Sequence, residues 1–134
     1  EIDMNFVGNV TIAICHDTDW ILDTGATDHI AMDPSLYKEL KSLKTNCYVS
    51  LPNAQTAEVV GLGNITLIGG LVLKNVLCVP KFKYNLLSVS KMAKNSHFRV
   101  VFYDEFCLIQ DCATYQVKGI GKEAKGLYYL LNLT

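Results

Sequence analysis

Residues 20–30 read Trp-Ile-Leu-Asp-Thr-Gly-Ala-Thr-Asp-His-Ile, and the interpretation of the whole chain depends on this stretch. Its first three residues are strong strand formers and end in an acid, a hydroxyl and a glycine. The pattern predicts a short buried strand that delivers the Asp23 carboxylate at a sharp turn. Gly25 permits backbone angles that other residues avoid, Ala26 leaves space beside the acid, and Thr24 offers a hydroxyl to a neighbouring segment.

The same tripeptide also suits an ordinary β-turn, because Asp, Thr and Gly are common turn formers and Asp can bind local amides. A generic turn does not require Trp-Ile-Leu before it or Ala-Thr-Asp-His after it. The flanking residues therefore favour a functional site.

Composition limits the class of protein. The 134 residues suffice for one hydrophobic core, and 50% apolar with 19% charged residues indicates a folded globular domain. With 12 basic and 13 acidic residues, no charge excess favours nucleic acid or an acidic membrane surface. No apolar run approaches the roughly 18–20 residues of a membrane span. Five scattered cysteines without a C-x-x-C pair predict reduced thiols in an intracellular compartment and no metal site.

Short strand-like segments dominate the chain and are separated by glycines, which predicts an all-β domain. The predicted strands are residues 9–14, 20–22, 47–51, 57–60, 64–68, 71–79, 98–103, 107–110 and 127–131. Two short helices are predicted at 33–40, where Asp33 precedes a proline, and at 86–93, where apolar residues recur at helical spacing. A polar, glycine-containing stretch precedes residues 127–131, which suggests an appended strand.

Several motifs resemble one protease family. Residues 20–30 are similar to the active-site loop of retropepsin-type aspartic proteases, in the form found in copia-type LTR retrotransposon polyproteins, which commonly read W-I-L-D-[ST]-G-A-[ST]-x-H. Residues 51–56 resemble the flap of these enzymes, 75–80 the following strand and 84–91 the C-terminal helix. Residues 119–130 resemble the opening of the segment between protease and integrase. The motifs stand in the family order and cover most of the chain from about residue 9 onward.

The resemblance implies a fold and a domain division. It implies an all-β, retropepsin-like acid protease β-barrel with one short C-terminal helix, active as a two-fold homodimer. Residues 1–8 would be an N-terminal extension, 9–112 the protease domain, and 113–134 a C-terminal extension similar to the start of the pre-integrase segment. Relatives build much of the dimer interface from terminal strands, and here 98–110 and 127–131 compete for that role.

The chemistry requires a second chain. Aspartic proteolysis uses two carboxylates that share a proton, and the chain contains one Asp-Thr-Gly. The partner acid must come from another copy, with the two Asp23 side chains at the two-fold axis. Like charges this close raise one pKa, and the resemblance implies activity at mildly acidic to neutral pH without a cofactor.

The remaining loop residues take their roles from the resemblance. Thr24 would form a hydrogen bond across the dimer, and Gly25 and Ala26 would line the floor beneath the substrate. Thr27 and Asp28 are candidate substrate-binding residues, although Asp28 also fits a solvated loop acid.

The flap resemblance adds further candidates. Pro52, Asn53, Ala54 and Gln55 would form the tip of a mobile hairpin that binds substrate, although an ordinary hairpin turn is the alternative. Many relatives carry glycine where this chain has Ala54, which predicts a stiffer or displaced tip. His29 is interpreted as a strand residue at the exit of the loop rather than as a catalyst.

The implied substrate is an extended polypeptide with apolar residues around the scissile bond. Its physiological form would be the Gag-Pol polyprotein, processed in cytoplasmic virus-like particles, with no nucleic acid or membrane bound by this domain. The alternative is a non-catalytic or domesticated peptide-binding or dimerisation module of the same fold. A glycosidase with Asp23 and Asp28 as paired acids would need a sugar cleft that nothing else in the sequence suggests.

Overall fold

The computed structural model describes residues 3–7, 10–14, 20–50, 54–95 and 97–131. Strands dominate these residues, which confirms the all-β prediction. The strands are β1 (Asp3–Val7), β2 (Val10–Ile14), β3 (Trp20–Asp23), β4 (Ile30–Ala31), β5 (Cys47–Ser50), β6 (Thr56–Val59), β7 (Gly61–Thr66), β8 (Val72–Cys78), β9 (Asn85–Ser88), β10 (Phe98–Phe102), β11 (Phe106–Asp111), β12 (Val117–Ala124) and β13 (Leu127–Leu130). A 3₁₀ helix spans Pro34–Leu36, and an α-helix, α1, spans Val89–Asn95.

Nine of the strands form one sheet that curls into a half-barrel, in the order β10-β11-β12-β13-β3-β9-β4-β8-β7. Strand β9 runs parallel to β3 on one side and pairs antiparallel with β4 on the other. Since β9 separates β3 from β4, the loop that joins those two strands must pass over the end of β9. That loop is residues 24–29, which contain the Thr-Gly-Ala motif.

The main core lies against the curled sheet. Its largest completely buried side chains come from β8, β9 and β11, and include Leu73, Leu87 and Ile109. Burying a side chain of this size contributes about 1.5–3 kcal/mol. A smaller apolar cluster joins Ile30 of β4 to Ala57 and Val59 of β6 and thereby seats the β5–β6 hairpin, which otherwise forms a separate two-stranded sheet.

The C-terminal hairpin is part of the main sheet. Strand β12 pairs with β11, and β13 pairs antiparallel with β3, with Tyr128 opposite Leu22. The two-residue turn Lys125–Gly126 has φ values of 53° and 85°, as a type I′ hairpin turn requires. A Cβ at Gly121 would lie 2.5 Å from Cys107 Sγ, so β12 packs too closely on the core for a larger residue.

The prediction of a helix over 33–40 is wrong beyond its first turn. Asp33 caps the 3₁₀ helix by accepting a hydrogen bond from the Ser35 amide at 2.9 Å, and Pro34 begins it. Tyr37 then leaves the helix because its ring is buried and its hydroxyl donates to the Val76 carbonyl at 3.0 Å. This tertiary contact outweighs the local helical pattern.

The prediction of a helix over 86–93 is wrong for its first three residues. Leu86 and Leu87 belong to β9 and lie opposite Ile21 and Leu22 of β3. A short apolar run fits a buried strand as well as a helix, and here strand pairing decides. The helix starts after Ser88, whose Oγ accepts a hydrogen bond from the Lys91 amide at 3.1 Å, as an N-cap does.

Candidate active site

Asp23 is the last residue of β3, at the point where the chain leaves the sheet. Trp20, Ile21 and Leu22 are all buried, and Asp23 lies opposite Ser88 in the parallel pairing with β9. Because β3 and β9 are both fixed in the sheet, the packing of the core sets the position of the Asp23 Cα. The carboxylate is half-buried, and Thr24 and Gly25 after it are exposed.

The carboxylate stabilises its own turn. Asp23 Oδ1 accepts a hydrogen bond from the Gly25 amide at 2.8 Å, which is the local bond expected of an Asp that begins a turn. Among the residues that the structure describes, this is the only hydrogen bond to the carboxylate. The second oxygen therefore stays available to an external group.

Two serines hold the next part of the loop. The Ala26 carbonyl accepts hydrogen bonds from Ser88 Oγ at 2.6 Å and from Ser90 Oγ at 3.2 Å. Ser88 is completely buried, and its hydroxyl donates to the loop while it accepts the Lys91 amide of α1. One side chain thus joins β9, the helix and the Asp23 loop.

His29 closes the loop just before β4 begins. Its ring is 3% exposed, and Nδ1 accepts a hydrogen bond from the Ser88 amide at 2.9 Å. The ring proton of the neutral imidazole is therefore on Nε2. Burial, together with the nearby charge of Lys91, lowers the pKa of His29 to about 4 against an opposing effect of Asp28. His29 is neutral at pH 7 and positions the loop.

Thr27 and Asp28 face the helix side of the loop. Thr27 Oγ1 donates to Asp28 Oδ2 at 3.2 Å, and Lys91 Nζ lies 3.9 Å from Asp28 Oδ1. Lys91 Nζ also donates to the Asn75 carbonyl at 2.9 Å. Asp28 is thus engaged by a cation of its own chain and remains half exposed.

The residues predicted as the flap, 51–56, follow β5 in the sequence and reach the first residue of β6. Pro52 and Asn53 lie outside the described residues, and Ala54 and Gln55 lead into β6. Ala54 has φ 65°, a left-handed conformation that costs a non-glycine residue about 1–2 kcal/mol. The backbone at this position therefore favours glycine over alanine.

Comparison with known families gives one match. The family model described as "Pol polyprotein, beta-barrel domain" matches residues 20–97, more than half of the chain. The chain belongs to this family. The match supports an origin in the Pol polyprotein of a retroelement. Neither a search of curated proteins nor a search of solved structures gives a match.

The matched part of this Pol β-barrel domain contains the Asp23 loop, the β5–β6 hairpin, β9 and α1. Strands β10, β11, β12 and β13 lie beyond the match, although β13 pairs directly with β3. No helix among the described residues is long and apolar enough to cross a membrane. In the same residues no group of three or more His, Cys, Asp or Glu side chains is placed to hold a metal ion.

A cavity of about 310 Å³ borders Asp23 on the side of the C-terminal hairpin. Besides Asp23 and Thr24 it is lined mainly by apolar residues, namely Ile21, Leu22, Phe102, Gly126, Leu127 and Tyr128. The Phe102 and Tyr128 rings meet edge to face, with centroids 4.9 Å apart, and Tyr128 donates its hydroxyl to the Tyr103 carbonyl at 3.0 Å. The sequence predicted an apolar segment at 127–131, but its position beside Asp23 was not predicted.

Proposed function

We propose that this Pol β-barrel domain is an aspartic endopeptidase of the retropepsin type that is active as a homodimer. The observation that carries the proposal is the placement of Asp23. Its carboxylate stands at the end of a buried strand, and its one hydrogen bond within the described residues comes from the Gly25 amide. The chain contains a single Asp-Thr-Gly, so in this proposal the second acid comes from another copy of the chain.

The mechanism follows from two such acids at a two-fold axis. The ionised Asp23 takes a proton from a water molecule while the water oxygen attacks the peptide carbonyl. The protonated Asp23 of the other copy donates its proton to the developing oxyanion, which yields a tetrahedral diol. Collapse of the diol breaks the C–N bond and passes a proton to the leaving nitrogen. Like charges in contact keep one of the two acids protonated.

The hydrogen bonds around the loop support this role, because catalysis needs both acids in fixed positions. Ser88 and Ser90 hold the Ala26 carbonyl, and the His29 ring holds the Ser88 amide. A Cβ at Gly25 would lie 3.4 Å from Asp23 Oδ1, in van der Waals contact with the carboxylate. The exposed Thr24 hydroxyl suits a hydrogen bond across the dimer.

The surroundings of Asp23 support an extended peptide with an apolar residue beside the scissile bond. The apolar cavity next to the carboxylate has the volume of a small ligand pocket, whose usual range starts near ~300 Å³. Among the described residues the β5–β6 hairpin forms a two-stranded sheet of its own, which suits an element that opens and closes over substrate. Thr27 and Asp28 would contact the peptide from the helix side, together with Ala54 and Gln55 at the hairpin tip.

The physiological substrate that we propose is the Gag-Pol polyprotein of a copia-type retrotransposon. The motif at residues 20–30 and the Pol family match support this choice. Processing would take place in cytoplasmic virus-like particles, where a high local concentration of chains drives dimer formation.

The test compares cleavage of the precursor by the wild-type domain, Asp23→Asn and the control Asp104→Asn, with pepstatin in parallel reactions. Asp104 is an exposed acid in the β10–β11 turn. We expect Asp23→Asn to lower the cleavage rate at least ~10²-fold, because the substitution removes a general acid–base group. Asp104→Asn should cleave the precursor at the wild-type rate. An excess of Asp23→Asn mixed into wild-type protein should also inhibit, since mixed dimers hold one acid.

Cleavage that persists in Asp23→Asn contradicts the aspartic mechanism. Full activity under conditions where sedimentation shows only monomer contradicts the shared site. Peptide binding without any cleavage by the intact chain would identify the alternative, a non-catalytic or domesticated peptide-binding or dimerisation module.

A further inference from the structure

A second and larger cavity, of about 510 Å³, lies where β8, α1 and the start of β10 meet. Asp23 is not among the residues that line it. Its polar lining comes from His29, Lys74, Asn75, Lys91 and His97, and the remainder is largely apolar. The volume falls within the range of about 300–1,000 Å³ that is usual for small-molecule sites.

His29 presents a donor to this cavity. Nδ1 is occupied by the Ser88 amide, and Nε2 has no hydrogen-bond partner among the described residues. In those residues no buried side-chain nitrogen or oxygen lacks a partner, so Nε2 must reach the cavity surface. The residue is 3% exposed overall, so the Nε2–H is a partly shielded donor that an acceptor in the cavity can reach.

Lys91 adds a partly desolvated charge. Its side chain is 14% exposed, and Nζ is bound to the Asn75 carbonyl, with the Asp28 carboxylate at the longer distance of 3.9 Å. Lys91 is close enough to His29 to lower the pKa of the imidazole. The charged and titratable groups that face the cavity are Lys74, Lys91, His29 and His97, with Asp28 beside Lys91. Positive charge is in excess there, which favours an anion.

The apolar residues that line the cavity favour one kind of anion over another. Val72 is 44% exposed and Phe98 is half buried, so an accessible apolar surface adjoins the cationic groups, and the buried Leu73 and Met92 complete the lining. An inorganic anion would leave this surface in contact with water. A carboxylate carried by an apolar group would cover it and still receive hydrogen bonds from the cations.

We propose that this cavity binds an organic carboxylate, with its oxygens at Lys91 Nζ and the His29 Nε2–H and its apolar group against Val72 and Phe98. A peptide with a free C-terminus and a small aliphatic acid both present this chemistry. Asp23 does not line this cavity, so the site is separate from the proposed cleavage site, although His29 also holds the Asp23 loop through the Ser88 amide.

The test follows the ¹⁵N signals of His29 by NMR in the full chain carrying Asp23→Asn, which prevents turnover. The probe is N-acetyl-leucine, the matched neutral control is N-acetyl-leucinamide, and hexanoate is a second acid. We expect a saturable shift of the Nε2 signal with N-acetyl-leucine and none with the amide. An equal response to hexanoate identifies a general aliphatic-acid site, and a response confined to N-acetyl-leucine identifies a peptide carboxylate.

Two lysines of α1 give a matched pair of variants. Lys91→Met should weaken binding of N-acetyl-leucine about tenfold or more, because it removes a hydrogen bond to a charged group, whereas the exposed Lys94→Met should leave binding unchanged. Lys74→Met is the second test because it keeps the contacts of Lys91 with Asn75 and Asp28, and it should weaken binding by a smaller factor. Equal shifts with acid and amide, equal affinity in all three variants, or no saturable shift would each overturn the proposal.

Discussion

Two hairpins adjoin the strands that carry the Asp23 loop, and they are built differently. The C-terminal hairpin, β12–β13, pairs with β3 through β13. The β5–β6 hairpin packs against Ile30 of β4 through Ala57 and Val59. Each is an antiparallel pair. In the part of the chain that the structure describes, the first lies inside the nine-stranded sheet and the second forms a separate two-stranded sheet.

The difference extends to the turns and the burial. In the C-terminal hairpin both turn residues adopt positive φ, with glycine at the second position, and Tyr129 and Leu130 are buried. In the other hairpin β5 has no buried residue, and Ala54 adopts a left-handed conformation without being glycine. An isolated two-stranded hairpin is marginally stable. The comparison teaches that the neighbours of a hairpin, more than its own pairing, decide whether it belongs to the scaffold or opens separately.

The largest expected effect tests whether the C-terminal hairpin is scaffold. Leu130 is 8% exposed and Leu127 is 45% exposed. Leu130→Ala should lower the free energy of unfolding by about 2–5 kcal/mol, as large cavities do, and Leu127→Ala by no more than about 0.5 kcal/mol. Denaturant unfolding measures both. Equal, small losses would show that this hairpin is as separable as β5–β6.

The second effect is a pH dependence of stability. The free energy of global unfolding should depend on pH, and the free energy of local opening of β5–β6 should not. The folded pKa of His29 is about 4, below the ordinary value of 6.5, so the unfolded chain binds an additional proton between these values. The free energy of unfolding should therefore fall as pH falls from 6.5 to 4, with a slope of up to about 1.4 kcal/mol per pH unit.

His29→Gln should remove that slope, and His97→Gln, at an exposed histidine, should keep it. Hydrogen exchange of β5–β6 amides, corrected for the intrinsic exchange rate, gives the local opening free energy over the same range. A parallel pH trend in both measurements would mean that the two hairpins open together.

The third effect concerns the attachment of the loop to the scaffold. Ser88→Ala removes the N-cap of α1 and the shorter of two hydrogen bonds to the Ala26 carbonyl. We expect a loss of about 1–2 kcal/mol, since a cap alone contributes about 0.5–2 kcal/mol. Ser90→Ala loses one longer bond to the same carbonyl and should cost less. The reverse order, measured by thermal unfolding, would assign the anchoring to Ser90.

The smallest effect lies in the β5–β6 hairpin. Ala54→Gly relieves about 1–2 kcal/mol of backbone strain and adds about 0.5–1 kcal/mol of chain entropy cost. The balance should slow hydrogen exchange in β5 and β6 and leave global stability unchanged. Ala57→Gly, at a buried strand position, should speed that exchange instead. Slower exchange with Ala57→Gly would contradict the role of Ala57 in seating the hairpin.

Most strands were predictable because their residues carry the signal locally. Trp20, Leu73 and Ile109 lie in predicted strands that the structure contains, with ends shifted by a few residues. Four strands were not predicted, namely β1, β4, β9 and β12. Strand β4 has two residues, β9 reads equally well as a helix, and β12 contains glycines and charges that weaken a strand pattern. Strand β12 forms because β11 and β13 lie on both sides of it, which no local pattern records.

The candidate site divides in the same way. The consecutive residues predicted that Asp23 ends a strand and begins a turn. The hydrogen bond from the Gly25 amide to the Asp23 carboxylate is also local. The supports of the loop are distant in the chain, since Ser88 lies 62 residues from Ala26 and 59 from His29. The apolar cavity beside Asp23 likewise combines residues 21–24 with 102 and 126–128.

The chain therefore encodes in adjacent residues its strands, its turns and the presence of an acid at a sharp bend, because these depend on backbone preference and side-chain alternation over a few positions. Which strand lies beside Asp23, which hydroxyls hold its loop and which hairpin stays outside the sheet depend on the burial of surfaces that meet only after folding. Those surfaces come from segments tens of residues apart, and their free energy depends on the joint packing of all of them.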